Sequence, residues 1–291
     1  MTNTLILGCG YIGRRLAHHY QGQGARVLGV VRTAESAAAL AAEGIPALAL
    51  DLAGVPGPED IAALGLAGAQ VFHLAPPPES GTLDLHTRHL VEAFARGGDP
   101  ARVVYISTTG VYGDCGGDWV DEGRQVKPQA DRALRRWDAE QTLGHWRTGQ
   151  GGTLVILRVA GIYGPGRLPL ERIRAGLPLV RPEEAPWSNR IHADDLVTAC
   201  ISAMARGADG AVYNACDGSP STMTDYFFQV ADAAGLPRPP LISREEAEQQ
   251  LTAGMLSYLR ESRRLCNRRL VEELGVTLRY PSLAQGLPAC L

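Results

Sequence analysis

Through the first half of the chain, short runs that are apolar at every position alternate with longer stretches whose apolar residues recur at helical spacing. TLILG (Thr4–Gly8) precedes a helical stretch from Arg14 to Gln21, and ARVLGVV precedes one from Glu35 to Glu43. PALAL follows, and AQVFHLA then leads into a helical stretch from Leu83 to Arg96. RVVYIST, a helix containing DRALRRWDAEQTL, and TLVILRV complete the series. Strands without a polar side are strands covered on both faces. Strand–helix–strand order with short glycine-rich links predicts parallel strands joined by right-handed crossovers, hence an α/β, Rossmann-type doubly wound parallel sheet.

From Gly161 the texture changes. Loops lengthen, prolines cluster in LPLVRPEEAPW and LPRPPL, and helical patterns dominate. Ser243 and Glu246 have the spacing of a capping box, and Asn267 precedes a helix that Gly275 should stop. The expected organisation is a main domain of residues 1–160, rejoined by a helix and a strand within 190–217. Residues 161–189 and 218–291 would form a smaller C-terminal substrate lobe.

Composition narrows the partners. Of 291 residues, 45% are hydrophobic and 20% charged, and the net charge is −3. No block of like charge argues for nucleic acid or an anionic membrane. No apolar run reaches the roughly 18 residues that a spanning helix needs. The six cysteines are scattered without a C-x-x-C pair, as suits reduced thiols and a cytoplasmic location. Lys127 is the only lysine, so any chemistry that needs an ammonium group has one candidate.

The first apolar run opens directly into Gly8-x-Gly10-x-x-Gly13, followed by a helix. In that setting the glycines serve a tight turn, close approach of backbone to a pyrophosphate, and close packing of helix on strand. The helix start, with Tyr11 and Ile12, offers N–H groups and a positive dipole end to phosphate. The second strand ends in Arg32, where an acid would hold a free ribose 2′-hydroxyl. A guanidinium fork suits a 2′-phosphate instead, with Thr33 and Ser36 as further donors. The expected cofactor is NADP, ahead of NAD.

With these blocks in place, the sequence resembles the extended short-chain dehydrogenase/reductases, specifically the NAD-dependent epimerase/dehydratase family. Asp51-Leu52 looks like the pair that contacts adenine, and HLAPPP, with Ala75 and Pro76, sits where the family's fourth strand meets the cofactor. ISTTGVYGD, LRVAGIYGPG, NRIHADDL and SRRLCNRRLVEELG match later blocks in order. The resemblance places Thr108 at the catalytic Ser/Thr. It also implies a helix carrying Tyr and, four residues on, Lys. The matching positions hold Arg132 and Arg136, and no tyrosine lies between Ala130 and Thr142.

Arginine cannot take or give a proton at working pH, its pKa lying above about 12. It can hold fixed charge. Arg136 would bind ribose hydroxyls, and Arg132 would clamp a carboxylate or phosphate or stabilise an oxyanion; the alternative is a solvated helix face. Tyr112, Tyr163, the His86/His89 pair and Asp194 read as structural, with no metal site. Thr109-Gly110 replace the Asp-Glu of family dehydratases, and Gly161 replaces an Asn that contacts substrate phosphate in nucleotide-sugar relatives. The expectation is an NADP-dependent oxidoreductase or epimerase for a small, anionic substrate, with a homodimer implied by fold analogy. The alternative is a non-catalytic NADP(H) sensor.

Overall fold

The computed structural model describes residues 3–150 and 152–291. By contact, the chain divides into two compact units. One comprises Met1–Val111, Asp131–Arg158 and Val197–Tyr213; the other comprises Tyr112–Ala130, Val159–Leu196 and Asn214–Leu291.

The first unit is built on a sheet laid down in strand–helix order: β1 (Asn3–Leu7), α1 (Tyr11–Gly22), β2 (Arg26–Val31), α2 (Ala34–Ala42), β3 (Ala47–Ala49), α3 (Pro58–Leu64), β4 (Gln70–His73), α4 (Leu85–Gly97), β5 (Arg102–Thr108) and α5 (Asp131–Gln150). The strand Thr153–Val159 lies beyond β5, and Ala211–Ala215, delivered by the helix Ala193–Arg206, lies beyond that. From this edge the seven strands run Ala211–Ala215, Thr153–Val159, β5, β4, β1, β2, β3. β1 pairs in parallel with both β2 and β4, and β2–β3 and β4–β5 are parallel too. This is the Rossmann order. Its direction reverses between β1 and β4, and such a switch point opens a crevice beyond the carboxyl ends of those strands.

Burial explains why the strand runs lack polar positions. Leu5, Ile6, Leu7, Val71, Phe72, Val103, Val104 and Tyr105 are fully buried. α1 lays Ile12, Leu16, Ala17 and Tyr20 against the sheet. Phe94 of α4 meets Trp146 of α5 in the same core, with ring centres 5.2 Å apart.

The second unit has its own core of Tyr163, Ile173, Leu179, Tyr226, Phe227, Val230, Leu283 and Leu287. Short strand pairs knit it together: Gly161–Tyr163 runs parallel to Arg190–His192, and Trp187–Ser188 antiparallel to Ser221–Thr222. The capping box at Ser243 forms: its hydroxyl accepts from Glu246 N at 3.1 Å, and its own N–H donates to the Glu246 carboxylate at 2.7 Å. Asn267 precedes the helix Arg268–Glu272 without capping it. Its amide donates to the Cys216 carbonyl at 2.9 Å, tying the helix entry to a distant strand end.

Candidate active site

The glycine loop after β1 crosses the switch point. Gly8 has φ +78°, and a Cβ there would fall 2.5 Å from Ala75 N and 2.6 Å from Ala75 Cα. Only glycine lets the turn lie against the backbone that follows β4. Gly8 N and Cys9 N both donate to the Val30 carbonyl, at 2.9 and 3.0 Å, holding the turn beside β2. A Cβ at Gly13 would meet Ile6 at 3.0 Å and Gly8 O at 3.2 Å, so this glycine seats the helix on its strand. Gly10 differs from both: it is exposed, and its nearest neighbour would be Gly8 O at 4.0 Å. Two glycines are thus demanded by the protein itself, and the one at the helix start faces open space.

The helix start suits a phosphate. α1 carries no acidic residue in its first turn, and the N–H groups there precede the first possible i−4 acceptor. Beneath the loop, Cys9 is buried and its thiol pushed up to about 11, chiefly by that burial. It is therefore packing rather than chemistry. Gly29 of β2 makes room for it, since a Cβ at that position would approach Cys9 Sγ to 2.9 Å.

At the end of β2, Arg32 is exposed, and its side chain makes no hydrogen bond or ion pair among the described residues. Thr33 is the N-cap of α2, its hydroxyl accepting from Ser36 N at 3.2 Å and donating to Ser36 Oγ at 2.9 Å. Asp51 accepts from Ala53 N at 2.9 Å. Two α4 histidines hold the neighbouring loops: the His89 ring pairs through Nδ1 with Leu52 O at 2.8 Å, and the His86 ring with Pro76 O at 2.9 Å. The pair thus fixes the loops after β3 and β4.

α5 brings its arginines to the carboxyl ends of β4 and β5. Arg136 Nη1 donates to the carbonyls of Ala75 and Ile106, both at 3.2 Å, and to the Tyr105 hydroxyl at 3.3 Å. Arg132, one turn earlier, is half-buried. Arg135 turns the other way, is buried, and donates to Gly81 O. Thr108, half-buried at the end of β5, accepts from Gly110 N at 3.2 Å, which leaves its hydroxyl proton available.

Below these residues lies a buried polar layer that hydrophobic periodicity does not announce. His73 pairs through Nε2 with Thr87 Oγ1 at 2.8 Å. Burial, reinforced by Arg136 and His86, lowers its pKa to about 3. Asp84 caps α4 by accepting from Thr87 N at 3.1 Å, and burial raises its pKa. Glu140 forms a buried ion pair with Arg158 at 2.8 Å and also accepts from Ser107. Glu140 stands on the face of α5 opposite the solvent-side positions, four residues after Arg136. That spacing is the one signal that could have paired it with the sheet. The tyrosines of the two Tyr-Gly turns belong to the second unit and are buried there. Tyr112 donates to Asn214 Oδ1 at 2.8 Å and Tyr163 to Ser282 O at 3.3 Å.

The model of the "NAD dependent epimerase/dehydratase family" matches residues 4–216. Protein YeeZ of Escherichia coli (strain K12) is 30% identical over 290 residues, covering 97% of each chain. A functionally unknown conserved protein from Silicibacter pomeroyi DSS superposes with a TM-score of 0.84 at 33% identity, over 99% of this chain and 98% of that one. The UDP-glucose 4-epimerase of Thermus thermophilus, solved with NAD, shares the fold with a TM-score of 0.78 at 22% identity, over 99% and 97%. On the family match and the extent of these similarities, the chain belongs to the NAD-dependent epimerase/dehydratase family.

Proposed function

We propose that the protein is an NADP-dependent oxidoreductase or epimerase acting on a small anionic substrate. The observation that carries this reading is the open position of Gly10 between two sterically required glycines, with Arg32 exposed at the next strand end. Gly8, Gly10, Tyr11, Ile12 and Gly13 would hold the pyrophosphate. Arg32, with Thr33, would hold the 2′-phosphate, and Asp51 and Leu52 the adenine. Ala75, Pro76 and Arg136 would line the nicotinamide end. When bound, the dinucleotide supplies a hydride donor or acceptor.

The chain's own residues supply the rest. Thr108 retains a hydroxyl proton to donate to a substrate oxygen. Arg136, fixed on two carbonyls, sets a permanent positive charge beside that oxygen. Arg132 would clamp the substrate's anionic group. The α5 helix holds no phenol, so proton transfer falls to Thr108 with solvent, at an expected loss of about 10²–10⁴ in rate against an acid-equipped site. All six cysteines are unpaired thiols, which supports a cytoplasmic setting, and the α4–α5 face is our choice for a homodimer contact.

A second reading is a non-catalytic NADP(H) sensor, favoured by the engagement of Arg136 with Ala75, Tyr105 and Ile106. Calorimetry of NADPH against NADH, on wild type and Arg32→Asp, tests the cofactor assignment. NADPH should bind tighter, and the substitution should erase that preference. Equal affinities in wild type would remove the NADP assignment. Stopped-flow oxidation of NADPH over a panel of carboxylated and phosphorylated carbonyl compounds separates enzyme from sensor.

A further inference from the structure

We propose that Trp119, Arg264 and Trp187 form a docking face for an acidic segment of a partner protein. The face lies wholly within the second unit and does not depend on the cofactor or substrate reading above. It begins where the strand Trp119–Val120 pairs in parallel with Arg264–Leu265. Val120 and Leu265 are buried, so alternation turns Trp119 and Arg264 outward. Trp119 is 54% exposed and Trp187 36%. A lone exposed apolar residue means little, but indoles grouped on one face mark a contact surface.

The group is built rather than scattered. The Arg264 guanidinium lies 5.4 Å from the Trp119 ring centre and 5.2 Å from that of Trp187. Its Nε donates to Gly117 O at 2.7 Å, which orients the fork. Gly117 has φ +82°, and a Cβ there would fall 3.1 Å from Trp187 Cδ1. Trp187 is tied to the arginine's own segment: its N–H donates to Ser262 Oγ at 3.0 Å, and Arg263 N donates to Trp187 O at 3.4 Å.

Charge decides the occupant. Every carboxylate of residues 114–122 and 261–264 is already engaged. Asp118 pairs with Arg124 at 3.5 Å, and Glu261 with Arg263 at 3.0 Å. Asp114 accepts from Gly116 N and Ser262 N, Asp121 from Gly123 N, and Glu122 from Asn214 N. Arg264, by contrast, has no ion pair among the described residues, and its Nη groups make no hydrogen bond there. A guanidinium held open beside two indoles offers a fork to a carboxylate and apolar surface to the residue next to it. The occupant is therefore an extended segment with Asp or Glu beside an aromatic or aliphatic side chain. Tryptophan and arginine are also the residues whose truncation costs most at interfaces.

The test is calorimetric titration of the full chain with the end-capped peptide Gly-Asp-Phe-Asp-Leu-Gly at low ionic strength. Wild type should bind it, and added salt should weaken binding, because the charge contact is exposed. Analogues with Asn for Asp, or with Ala for Phe and Leu, should bind about tenfold or more weakly. Arg264→Gln should bind the Asp and Asn peptides equally, a loss of discrimination that a purely structural arginine would not produce. Arg264→Lys should keep part of the preference, since a point charge replaces a fork. Trp119→Ala and Trp187→Ala should each weaken binding severalfold. No binding of the acidic peptide by wild type, or equal affinity for its Asn analogue, would overturn the proposal. Should Arg264→Gln not fold, wild type labelled with fluorotryptophan decides. The peptide shifts the Trp119 and Trp187 fluorine resonances if it docks here; shifts confined to Trp137 or Trp146, or none, sink the idea. Sedimentation of wild type and Trp119→Ala should give the same mass. An oligomer that this substitution dissolves would assign the face to a second copy and would also overturn the proposal.

Discussion

Arg136 Nη1 lies 3.3 Å from the Tyr105 hydroxyl, so a phenol does meet α5, but from inside the sheet. Tyr105 is fully buried on β5, and burial raises its pKa above the usual phenol range. It therefore stays protonated and orients the arginine. The family resemblance implies a tyrosine–lysine pair on this helix. What the structure shows is Arg136 of α5 supported from β5 by Tyr105, a residue that no helical spacing could have revealed.

Installing the pair is an informative experiment. Arg132→Tyr with Arg136→Lys should raise carbonyl reduction by about 10²–10⁴ where proton transfer limits the rate. Arg136→Lys alone should not, because a lysine without a phenol has no acid to tune. Steady-state NADPH oxidation with an accepted substrate reads both. Equal rates for the single and double variants would mean that the missing acid does not limit turnover.

The three loop glycines should separate stability from binding. Gly8→Ala forces a side chain into the Ala75 backbone at φ +78°. It should cost at least the roughly 1–3 kcal/mol of a strained backbone, and more for the clash. Gly13→Ala presses on Ile6 and should cost less, since a side-chain methyl can yield. Gly10→Ala meets no atom closer than Gly8 O at 4.0 Å and should leave the melting temperature unchanged while weakening NADPH at least severalfold. Thermal unfolding and calorimetry on the three variants check this ordering. A Gly10→Ala protein that binds NADPH normally would place the pyrophosphate elsewhere.

That contrast also shows how far the sequence could be read. Glycine spacing after an apolar strand announces a phosphate loop, because strand, turn and helix are local and each glycine's task follows from backbone geometry. The sheet order follows from the same local units, since parallel strands joined by crossovers admit few arrangements. Arg32 stands out because it ends a strand at a countable distance. Gly29, by contrast, owes its identity to Cys9, a residue twenty positions back that packs onto β2 from the loop. Glu140 owes its burial to Arg158, which a helix end and a strand separate from it. Pairings of this kind depend on register between elements, and one chain's periodicity carries no information about register.

The Glu140–Arg158 pair should be costly to halve. Both side chains are almost wholly buried and joined at 2.8 Å, with Ser107 donating to the same carboxylate. Glu140→Gln or Arg158→Met would leave one buried charge uncompensated, at about 3–5 kcal/mol. Removing both, as Glu140→Leu with Arg158→Met, should recover much of that loss. Urea unfolding of the two single variants and the double variant gives the coupling; strictly additive losses would mean that the pair acts as two separate contacts.

His73 and Asp217 should give the protein opposite dependences on pH. His73 is held near a pKa of about 3 against an ordinary 6.5, first by burial and then by Arg136 and His86. Below the ordinary value the unfolded chain takes a proton that the folded chain refuses. The stability tied to its neutral state is therefore complete above pH 6.5 and lost as pH falls toward 3. Asp217 is raised from 3.8 to about 7, burial again being the largest cause. Here the folded chain keeps a proton that the unfolded chain releases, so its contribution is complete below pH 3.8 and lost as pH rises toward 7. Each slope is at most about 1.4 kcal/mol per pH unit, with opposite sign. The stability difference between wild type and His73→Gln should therefore grow with pH between about 4 and 6, whereas that between wild type and Asp217→Asn should shrink over the same range. Urea midpoints at several pH values, read by tryptophan fluorescence, suffice. Difference curves that are flat for both variants would mean that these two side chains are hydrated in the folded protein and titrate as they do in a free peptide.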